Sequence, residues 1–77
     1  MNGIYIKNRL GNCQLICFFR DIGIIELPNN YEKYVVAIGI SITEKRWERG
    51  LYCLDFKEAA GIFNEILKDM YNASFKV

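Results

Sequence analysis

The stretch that decides the fold is residues 55–70, "DFKEAAGIFNEILKDM", near the end of a 77-residue sequence. Its apolar residues recur at intervals of three and four, which is the period of one face of an α-helix. Asp55 stands where an N-cap is expected and Glu58 follows three residues later, a spacing typical of a capping box. The pattern predicts a helix over 55–71 with these residues packed on the core: Phe56, Ala59, Ala60, Phe63, Ile66, Leu67 and Met70.

The sequence before this helix has the alternating pattern of strands separated by turns. In the first hairpin we expect Gly11-Asn12 to form the turn, and Cys13, Leu15, Cys17 and Phe19 to share one face. Residues 22–27 either continue the second strand beyond a kink or form a strand of their own. The predicted strand segments are 3–20 (the hairpin), 22–27, 31–43 and 50–54.

These elements predict an α+β fold, a four- to five-stranded antiparallel sheet followed by one C-terminal helix, in the order β-β-(β)-β-β-α. We expect a single domain over 1–77, with the sheet in 3–54, the helix in 55–71 and a short tail in 72–77. A helix about 10 Å wide covers only two or three strands spaced ~4.8 Å apart. The opposite face is expected to carry Ile16, Phe18, Val35 and Ala37, so part of that face also needs a cover. A second copy of the chain is the simplest one, so we expect a homodimer.

The three cysteines indicate a cytoplasmic protein with reduced thiols. Lys7 and Arg9 interrupt the apolar start of the sequence, so we expect no signal peptide. Cys13 and Cys17 on one strand face would stand too far apart for an easy disulfide. Because there is no histidine, we expect no metal site, and no apolar run reaches the ~20 residues of a membrane span.

The sequence lacks the residue sets that most enzymes use. Without histidine there is no ordinary general base near neutral pH and no His-activated nucleophile. No glycine-rich phosphate-binding loop is present, and most of the carboxylates fall in predicted turns or on the helix surface. We therefore expect a binding module without a cofactor rather than an enzyme.

Aromatic residues alternate with cations along the predicted strands. Residues 1–20 hold three cations and no acid, although the whole chain has 10 cations and 9 acids. Single-stranded nucleic acid binds such surfaces, because bases stack on aromatic rings for roughly 1–3 kcal/mol each while cations hold the backbone. The same alternation also occurs in half-exposed strands without a binding role, because charged residues keep such strands soluble. In that interpretation, Trp47 would only close one end of the sheet. The candidate binding residues are Tyr5, Lys7, Arg9, Phe18, Arg20, Lys45, Arg46, Trp47 and Arg49.

The ending "KRWERGLYCLDFKEAAGIFNEILKDM" (45–70) resembles the transcriptional-coactivator single-stranded-DNA-binding family and its Pur-repeat and Whirly relatives. The similarity lies within residues 38–70. It consists of a basic hairpin, a strand that begins with glycine and a helix that begins with an acidic residue. It implies a dimerising β-β-β-β-α unit whose curved sheet binds single-stranded DNA or RNA. The implied contacts are Lys45, Arg46, Trp47 and Arg49.

The sequence also departs from that family. Glu44 and Glu48 dilute the basic run before the last strand, and the segment 21–28 has no clear counterpart. The resemblance supplies no match for Tyr5, Lys7 or Arg9, which are candidates only because of the face on which they are expected.

The mixed charge of "EKRWER" (44–49) supports a second hypothesis, that the partner is a protein. An example would be a small inhibitor from a phage or mobile element that binds a host defence or enzyme complex. The sequence is short, has no catalytic set and is rich in Ile, Asn and Lys, as AT-rich genomes and their phages tend to encode. Arg46, Trp47 and Arg49 would then be interface anchors, because Trp and Arg are favoured at hot spots. The sequence leaves both partners open, single-stranded nucleic acid or a protein. A third possibility is an accessory subunit whose uncovered sheet face is filled by another protein.

Overall fold

The computed structural model describes residues 4–8 and 11–75, with side chains for 4–7 and 11–70. Each strand of its five-stranded sheet pairs antiparallel with its neighbour in the sequence, in the order β1-β2-β3-β4-β5. One helix follows the sheet, so the predicted α+β fold is confirmed. The elements are β1 (Ile4–Asn8), β2 (Gly11–Phe19), β3 (Ile22–Glu26), β4 (Tyr34–Ile38), β5 (Arg49–Cys53) and α1 (Phe56–Phe75).

Several element limits differ from the predicted ones. Gly11 and Asn12 belong to β2, where they pair with β1, so they do not form the first turn. Residues 22–26 form a strand of their own. The predicted strand 31–43 shortens to β4, because Gly39 adopts a left-handed backbone with φ 78°. The helix extends to Phe75, four residues beyond its predicted end.

The start of α1 is capped as the sequence predicts. The N–H of Glu58 donates to Oδ1 of Asp55 at 2.8 Å. The carboxylate of Glu58 in turn accepts from the N–H of Leu54 at 3.1 Å, one residue before the N-cap. Such caps satisfy donors that the first helical turn leaves free and typically contribute about 1 kcal/mol.

The helix covers one face of the sheet, which we call the helix face, by packing over β3, β4 and β5. The predicted apolar stripe of α1 lies against this face, except that Phe56 is exposed and meets the ring of Tyr34 edge-on at 5.6 Å between centroids. Burial of this stripe against the sheet supplies the driving force for docking the helix. The buried residues of this layer are Ile22, Ile24, Val36, Cys53, Ala59 and Phe63.

The opposite face of the sheet, which we call the open face, holds a second apolar cluster. Ile40 and Trp47, both from the connection between β4 and β5, pack against it. The chain itself thus supplies part of the cover that we expected from a second copy, and the homodimer stays a prediction. The buried members of this cluster are Ile6, Cys13, Leu15, Ile25, Leu27, Val35 and Ala37.

A β-bulge at Ile16 divides the side chains of β2 between the two faces. Leu15 pairs with Ile25, whereas Cys17 pairs with Ile24, so β2 carries one extra residue at this point. The alternation therefore reverses after Leu15. Our expectation that Cys13 and Cys17 share a face is wrong, because Cys13 joins the open-face cluster and Cys17 the helix-face cluster. Cys13, Cys17 and Cys53 form no disulfide with one another.

Candidate interaction surface

The turn between β2 and β3 holds an arginine in an unfavourable backbone conformation. Arg20 and Asp21 are its two residues, and only Arg20 has a positive φ, 59°. A type II′ turn has this pattern and favours glycine at that position. A side chain there costs roughly 1–2 kcal/mol. The guanidinium carbon of Arg20 lies 5.4 Å from the ring centroid of Phe19, so the strained residue presents its charge beside an aromatic ring.

Two consecutive aromatic side chains end β2 just before this turn. Phe18 is 52% exposed and Phe19 is 48% exposed. Neighbouring residues of a strand point to opposite faces, and their pairing places Phe18 on the open face and Phe19 on the helix face. The end of β2 therefore presents an aromatic ring on each side of the sheet.

The connection between β4 and β5 begins beside the same turn. The N–H groups of Gly39 and Ile40 both donate to the carbonyl oxygen of Asp21 at 2.9 Å. Further on, Ser41 and Arg46 exchange two backbone hydrogen bonds, of 2.8 and 3.1 Å, which close a four-residue loop over 42–45. The first two bonds join the start of the connection to the Arg20-Asp21 turn, and the hairpin loop follows two residues later in the chain.

We define the turn–hairpin surface as Phe18–Asp21 together with Ile42–Arg46. Its charged side chains are three cations and two acids. Nε of Arg46 lies 2.7 Å from Oε1 of Glu44, in an ion pair whose side chains are both 59% exposed. Such an exposed pair contributes at most about 1 kcal/mol to stability, but it offsets one of the cations. The surface combines exposed aromatic and aliphatic groups with charges of both signs.

Trp47 follows this surface directly in the sequence and packs inward. It is half-buried and packs against the open-face cluster. Its Nε1 lies 3.1 Å from the position that a β-carbon on Gly50 would occupy. Of the roles considered for it, plugging the sheet end fits this geometry better than serving as a freely exposed anchor.

The structure brings only some of the predicted binding residues together. Phe18, Arg20, Lys45 and Arg46 lie on the turn–hairpin surface. Tyr5 and Lys7 are exposed on the helix face of β1. Arg49 is exposed at the start of β5, and four strand spacings, about 19 Å, separate the edge strands β1 and β5. Arg9 lies outside the described residues.

Sequence reasoning missed five members of this surface: Phe19, Asp21, Ile42, Thr43 and Glu44. Regular alternation placed Phe19 on the same face as Cys13, and the bulge at Ile16 overturns that assignment. The signal in the sequence was the pair Phe18-Phe19 directly before two charged residues. Two adjacent strand residues cannot both face the same core, so one of them had to project elsewhere.

A shallow open depression of about 250 Å³ lies away from this surface. Its lining holds a single carboxylate, Glu26, and no nucleophile beside a base. Among the residues that the structure describes, no group of three or more His, Cys, Asp or Glu could hold a metal ion. In the same part of the chain, no helix is long and apolar enough to cross a membrane. The depression is lined by Tyr5, Asn12, Gln14, Glu26 and Pro28.

The two buried thiols are held in their neutral form. Burial raises the pKa of the Cys13 thiol. Burial also raises the pKa of the Cys53 thiol, and the negative charges of Glu58, Asp55 and Glu32 raise it further. Because the thiolate is the nucleophilic form, these cysteines are structural side chains rather than reactive ones.

No protein-family model matches this sequence, and comparisons with curated proteins and with solved structures found no significant match. The resemblance to the single-stranded-DNA-binding family therefore stays a prediction.

Proposed function

We propose that this chain is a small protein-binding module and that the turn–hairpin surface is its contact site. The observation that carries the proposal is the pair of half-exposed rings, Phe18 and Phe19, beside the strained Arg20. Aromatic residues and arginine are enriched among the residues that dominate binding energy at protein interfaces. Backbone strain that the fold maintains at an exposed position is also typical of functional sites.

The charges around these rings favour a protein partner over a polyanion. Nucleic-acid binding draws on several cations that neutralise phosphates and release counterions. Here Glu44 pairs with Arg46, and Asp21 stands next to Arg20 in the chain. A rim with both signs of charge matches a protein surface of complementary charge, which favours specificity and register.

A short chain without histidine can act as an inhibitor that blocks a surface of its partner protein. A module that covers a working surface of a host enzyme or defence complex needs anchors and a rigid frame, but no catalytic group. The backbone hydrogen bonds from Gly39 and Ile40 to Asp21 supply part of that frame. A rigid surface loses little conformational entropy on binding, which favours affinity.

Single-stranded nucleic-acid binding is the second candidate, and the contact between Arg20 and the ring of Phe19 favours it. An arginine beside an exposed ring can hold a phosphate while a base stacks on the ring.

Fluorescence anisotropy with mixed-sequence labelled oligonucleotides, at low and at physiological salt, separates the two candidate functions. We expect no binding tighter than the roughly 100 μM typical of weak non-specific contacts at physiological salt. Micromolar binding that weakens steeply with salt would favour nucleic acid.

The direct test of protein binding is capture from a nuclease-treated extract of the source cells. The wild-type chain is compared with the double variant Phe18→Ser/Phe19→Ser and with Tyr31→Ser. Tyr31 is 83% exposed and lies between β3 and β4, outside the turn–hairpin surface. We expect a partner that is retained by the wild type and by Tyr31→Ser and lost from the double variant. Equal retention by all three proteins would contradict the proposal.

A further inference from the structure

Among the described residues, the outer edge of β5 has no pairing strand, and apolar side chains lie on both of its faces. In the part of the chain that the structure describes, no strand lies beyond β5. Leu51 pairs with Val36 on the helix face, and Tyr52 pairs with Val35 on the open face. Both side chains are exposed, as are the next two large apolar residues along the chain, Leu54 and Phe56.

This edge lacks the features by which proteins prevent strand pairing. Natural edge strands are protected by central charges, proline, bulges or a covering segment. The interior of β5, Gly50–Tyr52, has neither a charge nor a proline, and its pairing with β4 is regular. The other edge strand, β1, carries the exposed Lys7. The apolar β5 edge is therefore the better candidate for pairing with another strand.

We propose that β5 pairs antiparallel with β5 of a second copy, so that two five-stranded sheets join into one sheet of ten strands. The contact is isologous, with the same edge contributed by both copies. It uses residues outside the turn–hairpin surface and does not depend on the proposed protein-binding function.

The charges at the two ends of β5 favour a second copy of the chain as the strand that pairs with this edge. Arg49 is the first residue of the strand, and Asp55 follows its last residue by two positions. Antiparallel pairing brings the start of each strand beside the end of the other. The cation of each copy then meets the acid of its partner at both ends of the contact, and opposite charges across strands stabilise such pairing.

The position of α1 also fits this arrangement. Pairing of the two edges about a twofold axis places both helices on the same side of the joined sheet. With each helix centred over its β4, the two axes lie three strand spacings apart, about 14 Å. Directly packed helices lie roughly 8–10 Å apart. The remaining gap is where the two exposed Leu51 side chains lie, so the pairing buries an otherwise solvated leucine.

The test is the mass of the protein in solution, measured by light scattering or sedimentation over a concentration series. The variant Leu51→Lys introduces a charge at the centre of the edge without touching the core. Ile42→Lys is its matched control, because both side chains are 47% exposed and Ile42 lies on the hairpin loop. A third variant, Arg49→Glu, replaces the attraction to Asp55 by repulsion.

We expect a wild-type dimer, an Ile42→Lys dimer and a Leu51→Lys monomer with an unchanged circular dichroism spectrum. Arg49→Glu should weaken dimerisation at least tenfold, with a smaller loss at high salt because screening reduces the repulsion. A monomeric wild type throughout the series, or a Leu51→Lys variant that remains dimeric, would overturn the inference. Partner capture by the turn–hairpin surface is scored separately, so either proposal can fail alone.

Discussion

Nε1 of Trp47 lies 3.1 Å from the position that a β-carbon on Gly50 would occupy. Gly50 pairs with Ala37, which pairs with Gly23, so small residues form a row across β5, β4 and β3 on the open face. The indole packs against the apolar cluster beside this row. The residue that precedes β5 by two positions thus ties the β4–β5 connection to the core of the sheet.

This contact predicts that Gly50→Ala destabilises the protein. The added methyl group would lie 2.7 Å from Cγ2 of Val35 and 3.1 Å from Nε1 of Trp47. Overpacking of this kind typically costs about 1–3 kcal/mol in the free energy of unfolding. Urea unfolding followed by Trp47 fluorescence measures the effect.

The control is Gly61→Ala in the exposed part of α1. Apart from the neighbouring residues and the backbone of the helix itself, no atom lies within 4 Å of the β-carbon position at Gly61. Alanine favours a helix over glycine by roughly 0.5–1 kcal/mol. We expect this variant to be more stable than the wild type. A Gly50→Ala variant with wild-type stability would show that Trp47 does not pack as described.

Replacement of Trp47 by alanine should lower stability as well as partner binding. The half-buried indole covers part of the open-face cluster. We expect a loss of about 2 kcal/mol, below the ~3–5 kcal/mol typical of a fully buried tryptophan. Thermal unfolding followed by circular dichroism measures it. An unchanged melting temperature would instead place Trp47 free in solvent.

Arg20 provides a test of strain at the turn–hairpin surface. Arg20→Gly and Arg20→Ala both remove the guanidinium from Phe19, but only glycine accepts a positive φ without strain. We expect the glycine variant to be about 1 kcal/mol more stable than the alanine variant. Both should bind the protein partner more weakly than the wild type. Equal stability of the two variants would show that the left-handed backbone at Arg20 carries no strain.

The thiols predict a stability change at alkaline pH. The pKa values of Cys13 and Cys53 are raised above 9.0 in the folded state. The unfolded state therefore loses these protons first as the pH rises, and its lower pKa favours unfolding. Stability from this source is fully present below pH 9.0 and is lost as the pH rises through the higher folded values.

Unfolding by urea at a series of pH values, on the wild type and on Cys13→Ser/Cys53→Ser, checks this. The decline in the free energy of unfolding above pH 9.0 should be shallower in the double variant, because serine does not ionise there.

A thiol reagent added to the native protein should modify the half-buried Cys17 well before the other two cysteines. Equal rates at all three positions would contradict the buried placement.

The helix and the helix-face layer could be predicted because their signals are local. Both signals, the capping pair Asp55 and Glu58 and the apolar period from Ala59 onward, depend only on residues that are close together in the sequence. The alternation within β4 is a signal of the same local kind, and it places Val35 and Val36 on opposite faces.

The bulge and the path of the β4–β5 connection depend on contacts between distant residues. The extra residue at Ile16 is visible only once β2 is paired with β3. The position of the connection depends on the hydrogen bonds from Gly39 and Ile40 to Asp21, about twenty residues earlier in the chain. Sequence reasoning therefore identified Phe18, Arg20 and Arg46 as candidates, but it did not show that they share one end of the sheet.

The most direct test of protein binding through the turn–hairpin surface is site-specific photo-crosslinking in the source cells. A photoreactive phenylalanine analogue replaces Phe18 in one variant and Tyr31 in the other, since both positions are exposed aromatics. We predict a discrete protein adduct from position 18 and none from position 31. Equal adducts from both positions, an adduct to nucleic acid at position 18, or no adduct there would contradict the proposed contact surface.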